Sequence, residues 1–374
     1  MPISIPVIEM IEIGAGGGSL AWVDAMGRIQ TGPESAGSEP GPASYGRGGD
    51  KPAITDADLV LGKLDPENFA GGAIKLSAAA AEAAISTHVG AELGLAAEAA
   101  AFGIVEVVDE NMANAARVHA VENGKNISEN VMIAFGGAAP LHAARLCEKL
   151  GISQCLIPMG AGVGSAIGFL RAPFGYEAVA SKIIRLGAWN AKTVNGLIAG
   201  LKAQAEGFVQ AGTRDATRCE IVAYMRYVGQ GWEIPVALAD RDFEQEDVNL
   251  LRQAFRENYA RFFGRAIDGA SGLEIEVVTW SVKVQAIQPL PPSIRLGLSG
   301  RARAVLVSRA VFDPVTGGRV HNAVVERGDL QAGDHIVGPA VIVETETATV
   351  VTSSFDAVVQ EDGSLMLIRK GTVQ

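Results

Sequence analysis

The sequence predicts an α/β protein whose layered core gives way to an α+β region and then to an all-β stretch. Three observations carry this. Residues 131–157 read as strand, diglycine turn, helix and strand in succession. Capped amphipathic helices alternate with runs rich in Ile and Val. Past the linker Gln288-Pro289-Leu290-Pro291-Pro292, short alternating apolar runs at 304–312 and 340–351 replace the helices. These changes of character divide the chain into 1–185, 186–292 and 293–374.

Residues 3–13 are rich in Ile and Val and read as a strand entering Gly14-Ala15-Gly16-Gly17-Gly18-Ser19. Residues 20–23 read as a further strand, with Asp24-Ala25-Met26-Gly27 as its turn. Residues 31–51, dense in proline and glycine, read as a loop; a loop of that length inside a compact domain is functional or disordered. Thr55 reads as the N-cap of a helix with Asp58 at its third position. Ser77 is placed to cap the Ala-rich run through Ile85. A longer helix spans about 101–123, with Ile104, Val107, Val108, Met112 and Ala115 on one stripe and Gly124 as its stop.

Residues 131–135 read as a buried strand. Gly136-Gly137-Ala138-Ala139 follows, then Pro140 at the first position of a helix that runs to Leu150 before Gly151. Residues 154–157 form the next strand. The uncharged stretch 150–170 has the length of a membrane span, but Pro158 and five glycines make it poor helix; it reads as a strand followed by a Gly-rich turn. Further on, 191–210 and 248–263 read as helices, and 220–236 and 273–285 as strands.

Composition narrows the function. A formal charge of −11 argues against nucleic acid, whose phosphates select Lys and Arg patches. Three cysteines, Cys147, Cys155 and Cys219, show no CxxC spacing, so a reduced, cytoplasmic setting is expected. The first residues show no secretory pattern. The 45 glycines cluster in a few loops, the pattern of backbone approaching a ligand or a second strand.

Chemistry-bearing motifs are few. The loop Gly14 to Ser19 is not GxGxxG, and no GxxxxGK[ST] or GxSxG exists in the chain. Two readings of that loop stand: a turn or bulge, or backbone N–H groups aimed at phosphate or substrate oxygens. Gly136-Gly137 likewise fits close helix–strand packing, or a bare backbone lying against a planar base or ribose ahead of a helix N-terminus. His119 and His142 lack partners at metal-ligand spacing and read as core or supporting residues. Asp56 and Asp58 could be a metal or general-base pair, although capping accounts for them. Glu39, Glu122 and Arg47 read as solvated. No catalytic residue and no metal ligand is assigned.

Together the motifs resemble the A-type subunit of the hydantoinase/oxoprolinase family. The matching stretches include Ile13-Gly14-Ala15-Gly16-Gly17-Gly18-Ser19, Pro40-Gly41-Pro42-Ala43-Ser44-Tyr45-Gly46-Arg47-Gly48-Gly49 and Thr55-Asp56-Ala57-Asp58-Leu59-Val60-Leu61-Gly62. Phe135-Gly136-Gly137-Ala138-Ala139-Pro140-Leu141-His142-Ala143, Arg226-Tyr227-Val228-Gly229-Gln230 and Gly338-Pro339-Ala340-Val341-Ile342 continue it. Many members carry Cys where this chain has Ser44. Typical members also open with an Asp-x-Gly-Gly-Thr phosphate loop and a second Gly-Gly-Thr loop, which do not occur in these 374 residues.

The resemblance implies that 1–185 is the C-terminal part of an ATPase core like that of actin and the sugar kinases. An α+β domain (186–292) and a β-rich module (293–374) would follow. It implies nucleotide binding by Gly14, Gly16, Gly17, Gly18, Ser19, Gly136, Gly137 and Ala138, with ATP and Mg²⁺ as cofactors. The implied activity is ATP-dependent hydrolysis of a cyclic amide, hydantoin- or 5-oxoproline-like, through a phosphorylated carbonyl. Alternatives are a subunit of an ATP-dependent ketone carboxylase, acting on acetone or acetophenone, and a non-catalytic assembly subunit. The expected partners are a chain carrying the phosphate loops, a B-type subunit and a small-molecule substrate; neither nucleic acid nor membrane is expected.

Overall fold

The structure, a computed structural model, describes residues 10–265, 272–289, 293–305 and 307–371. Contacts group the chain into two compact units, Met1–Leu170 with Ser293–Gln374, and Arg171–Pro292. In chain order the first unit opens with β1 (Ser19–Val23), β2 (Ile29–Ser35), α1 (Ile54–Val60), α2 (Ala78–Ile85), α3 (Ala91–Leu93) and α4 (Ala97–Glu122). It continues with β3 (Met132–Ile133), α5 (Ala139–Leu150), β4 (Gln154–Ile157) and α6 (Gly164–Leu170). The second unit holds β5 (Gly175–Arg185), α7 (Ala191–Gly212), β6 (Thr217–Tyr227), β7 (Ile234–Leu238), α8 (Val248–Phe263) and β8 (Ile275–Ala286). The chain then supplies β9 (Arg301–Ala302), β10 (Ser308–Asp313), β11 (Gly318–Glu326), β12 (Asp334–Val337), β13 (Ala340–Val343), β14 (Ala348–Val351), β15 (Phe355–Val359) and β16 (Leu365–Arg369) to the first unit.

Mixed α/β architecture follows from how these strands join. In the first unit β3 and β4 run parallel, as a strand–helix–strand crossover requires. The sheet then continues through β16, β15, β12 and β9, with Cys155 opposite Leu367 across the β4–β16 pair. Its core packs Ala143, Cys147 and Leu150 of α5 against Ile157, Phe355 and Leu367. A second sheet, ordered β10-β11-β13-β14, lies in the same unit. The second unit is an antiparallel sheet, β5-β8-β6-β7, with α7 against β5 and β8 and α8 against β7. Trp280 and Phe255 are wholly buried in its core, and the Trp280 indole N–H donates to the Lys182 carbonyl at 2.9 Å.

Several expectations need correction. Of the proposed strand at 3–13, residues 3–9 lie outside the described residues, and 10–13 carry no strand. The proposed loop at 31–51 begins inside a strand: β2 runs to Ser35 and pairs with β1. A two-stranded ribbon tolerates Pro33 because one side of each strand needs no ladder donor. Residues 131–135 are a two-residue strand with Val131, Ile133 and Phe135 about half exposed, because among the described residues β3 ends its sheet and pairs only with β4. Ala139, not Pro140, opens α5. The expected Gly-rich turn after β4 contains the helix α6, where the missing Cβ of Gly164 leaves room for the Phe135 ring, 3.0 Å from its position. Among the described residues no helix is long and apolar enough to cross a membrane.

The cap of α1 is also two residues earlier than expected. Ala53 is the N-cap and Asp56, not Asp58, is the third residue, where its carboxylate accepts the Ala53 N–H at 2.8 Å. The same carboxylate accepts the N–H groups of Ala43 (3.1 Å) and Ser44 (2.8 Å), while Thr55 turns its hydroxyl to the Gly17 carbonyl at 2.9 Å. Asp56 is fully buried, so its loss strands three donors at once. Asp56→Ala is expected to lower unfolding free energy by about 3–5 kcal/mol, with Asp56→Asn recovering part of it, as read by urea denaturation.

Candidate functional site

A cleft of about 520 Å³ opens in the first unit. One wall is the loop at 15–18 with the first turns of α1; a second is 135–139 leading into α5; a third is the turn between β13 and β14. Gly16, Gly17 and Gly18 therefore meet Gly136, Gly137 and Ala138 across one space. Gly14 and Ser19 are not on its lining; they shape the loop from behind. The Ser19 hydroxyl donates to the Gly14 carbonyl and accepts the Gly16 N–H, each at 3.0 Å.

The cleft glycines divide by cause. A Cβ on Gly17 would lie 2.9 Å from the Thr55 hydroxyl oxygen, itself held on the Gly17 carbonyl, and one on Gly18 2.9 Å from that of Ser35, so a side chain at either place must displace a neighbour. Gly136 has φ 118°, a conformation that favours glycine. Gly16 and Gly137 differ. A Cβ on Gly16 would meet nothing within 4 Å, one on Gly137 only the Glu346 carbonyl oxygen at 3.9 Å, and neither has positive φ. Nothing in the protein's own packing demands glycine at either place. The amides of Gly17, Gly18, Gly137 and Ala138 also donate to no protein acceptor among the described residues.

Beside these loops lies a buried charge cluster that the sequence reading did not assemble. The Asp58 carboxylate accepts from the Lys63 ammonium at 2.8 Å and faces His142 Nε2 at 3.2 Å. The other ring nitrogen, His142 Nδ1, lies 2.8 Å from Asp109 Oδ1. All four side chains are more than nine-tenths buried, and Asp58 and Lys63 reach the cleft. Burial would raise the Asp58 carboxyl, but Lys63 and His142 outweigh it and hold it well below the usual range. Burial would lower the His142 imidazole, but Asp58 and Asp109 outweigh it and push its pKa up to about 9. The ring is therefore an imidazolium at neutral pH and donates from both nitrogens.

Arg309, brought from β10, adds a second cation to the wall. Its guanidinium donates to the Lys63 carbonyl at 2.9 Å and lies 3.6 Å from Asp65. The Thr347 hydroxyl fastens the third wall by donating to the Gly137 carbonyl at 2.8 Å.

The remaining candidates fall outside the chemistry. Asp56 is structural and is not paired with Asp58. Glu39, Glu122 and Arg47 are exposed, and His119 is not on the cleft. Ser44 is buried behind Asp56, with its hydroxyl unpartnered among the described residues. Asp109, Lys63, Arg309 and the β13–β14 turn were missed. Asp109 alone left a signal: a carboxylate among Ile104, Val105 and Val108 on the buried stripe of α4.

Comparison with known proteins agrees with this architecture. The hydantoinase/oxoprolinase profile matches residues 1–178, and the hydantoinase/oxoprolinase C-terminal domain profile matches 188–368. The chain belongs to the hydantoinase/oxoprolinase family. It is 30% identical to caprolactamase subunit alpha of Pseudomonas jessenii over 93% of this chain and 51% of that protein. It is 32% identical to the acetophenone carboxylase gamma subunit of Aromatoleum aromaticum over 93% of this chain and 49% of that protein. The nucleotide-free structure of acetone carboxylase superposes with a TM-score of 0.80 at 25% identity, over 95% of this chain and 52% of that one. The chain thus spans about half the length of the curated relatives it matches.

The charge cluster makes a pH prediction. A folded-state pKa raised from 6.5 to about 9 contributes stability that is complete below pH 6.5 and disappears as pH rises through about 9. Unfolding free energy should fall by on the order of 3 kcal/mol between pH 7 and pH 10. In His142→Gln the alkaline fall should be smaller by about that amount, as chemical denaturation across this pH range would read.

Proposed function

We propose that this chain supplies the nucleoside-binding side of an ATP-dependent cyclic-amide hydrolase, acting on hydantoin- or 5-oxoproline-like substrates through a phosphorylated carbonyl. The supporting observation is the pair Gly16 and Gly137: two bare backbone positions, on opposite loops of one cleft, that the protein's own packing leaves unexplained. A ligand that approaches the backbone closely accounts for both. A purely structural assembly subunit would leave them without a cause.

The residues fit the nucleoside better than the triphosphate. The two cations on the wall are already partnered, Lys63 with Asp58 and Arg309 with Asp65, and Glu346 adds further negative charge. Free amides at Gly17, Gly18, Gly137 and Ala138 can meet one or two oxygens. They do not balance a full triphosphate. The phosphate loops then lie outside these 374 residues, on an N-terminal half or on a partner chain, and a B-type subunit completes the chemistry. Mg²⁺ belongs to the same reading, as the cofactor of the phosphates. The ion would enter on the phosphates, neutralising charge during phosphoryl transfer to the substrate oxygen.

In this reading residues 1–185 are the later part of an actin/sugar-kinase-like core, 186–292 an α+β domain and 293–374 a β-rich module. The protein works in the cytoplasm as part of a hetero-oligomer. A ketone carboxylase subunit is the second reading, favoured by the acetophenone carboxylase relative. ATP turnover stimulated by acetone or acetophenone with bicarbonate, and by neither hydantoin nor 5-oxoproline, would select it.

Expressed alone, this chain should bind Mg-ATP with a dissociation constant of roughly 1 mM, about −4 kcal/mol, and should not turn it over. Titration calorimetry and a phosphate-release assay check both. A micromolar constant, or turnover without a partner, would place the phosphate site on this chain and overturn the division of labour.

A further inference from the structure

We infer that Glu346, on the turn between β13 and β14, accepts the ribose hydroxyls of the nucleoside; this rests on the nucleoside reading of the cleft. The turn is held more firmly than a solvent-facing hairpin requires. The Glu344 N–H donates to the Thr347 carbonyl at 2.9 Å, and the Thr347 hydroxyl donates to the Gly137 carbonyl at 2.8 Å. Two glycines far away in sequence leave it space. A Cβ on Gly162 would lie 2.6 Å from the Glu346 Cβ, and one on Gly71 2.8 Å from the Thr345 methyl group. The Glu346 carbonyl oxygen is itself the nearest atom, at 3.9 Å, to the missing Cβ of Gly137. The Glu346 backbone is thus seated beside the bare glycine, and the residue lines the cleft.

Its carboxylate is exposed and has no hydrogen bond or ion pair among the described residues, whereas neighbouring Glu344 is committed to Arg327. A free carboxylate on a ligand-sized cleft suits a donor pair, and a vicinal diol presents two O–H groups at the spacing of its two oxygens. It repels phosphate. The nucleoside would therefore lie with its sugar toward Glu346 and its 5′ end toward the cations Lys63 and Arg309.

The test uses the full chain and ligand-detected NMR titrations with adenosine and 2′,3′-dideoxyadenosine. The wild-type protein is expected to bind adenosine about tenfold more tightly than the dideoxy compound, the loss expected when charge-assisted hydrogen bonds are removed. Glu346→Ala should bind both at the dideoxy level, and Glu346→Gln should fall between. Equal binding of the two ligands by the wild type, or a tenfold preference that survives Glu346→Ala, overturns the assignment while leaving the nucleoside seat in place. If adenosine does not bind, or binds Gly137→Leu as well as wild type, the seat itself is wrong and the Glu346 role falls with it.

Discussion

One imidazolium held between two buried carboxylates sets the spacing of the cleft. Asp58 stands on α1, Asp109 on α4 and His142 on α5, so a single ring joins three helices. α1 and α5 each carry a piece of the site. The Thr55 N–H and hydroxyl of α1 both donate to the Gly17 carbonyl, at 2.8 and 2.9 Å. α5 begins directly after Gly136-Gly137-Ala138. Fixing α1 against α5 therefore fixes one glycine loop against the other. Removing one member of such a set leaves an uncompensated charge in the interior, which costs about 3–5 kcal/mol. An isolated surface pair, worth at most about 1 kcal/mol, could not hold the geometry this way.

The same cluster explains why the cleft is chemically uneven. Lys63 spends its charge on Asp58, and Arg309 is turned toward the Lys63 carbonyl and Asp65. Positive charge is present but committed, while at the β13–β14 turn a carboxylate stays uncommitted. Such a surface receives hydroxyls and a flat base more readily than a run of phosphates.

Much of the layout was legible in the chain because local rules were obeyed. Ser77 does cap α2, accepting from the Ala80 N–H; Gly151, at φ 70°, ends α5; and α8 spans Val248–Phe263 as its periodicity predicts. Errors arose where tertiary contacts overruled local signals. Asp56 and Asp58 look like one capping pair in sequence, yet one serves backbone amides and the other an imidazole. Residues 131–135 carry the apolar composition of a buried strand but stand at the end of a sheet. Of the site, the two glycine loops could be read from composition. Arg309 and the turn at 344–347 could not, because they reach the cleft only through strand order, and Lys63, just after α1, carries no motif that marks its pairing with Asp58. The distinction between Gly16 and Gly17, identical letters in one loop, depends on what a Cβ would meet.

That distinction is the centre of the account, and amide chemical shifts measure it directly. Adenosine added to isotopically labelled protein should move the backbone amide resonances of Gly16 and Gly137 together. Gly27 and Gly94, turn glycines with nothing near their missing Cβ, should stay in place. Shifts confined to other parts of the chain, or an unperturbed Gly137 at ligand concentrations of several millimolar, would contradict it.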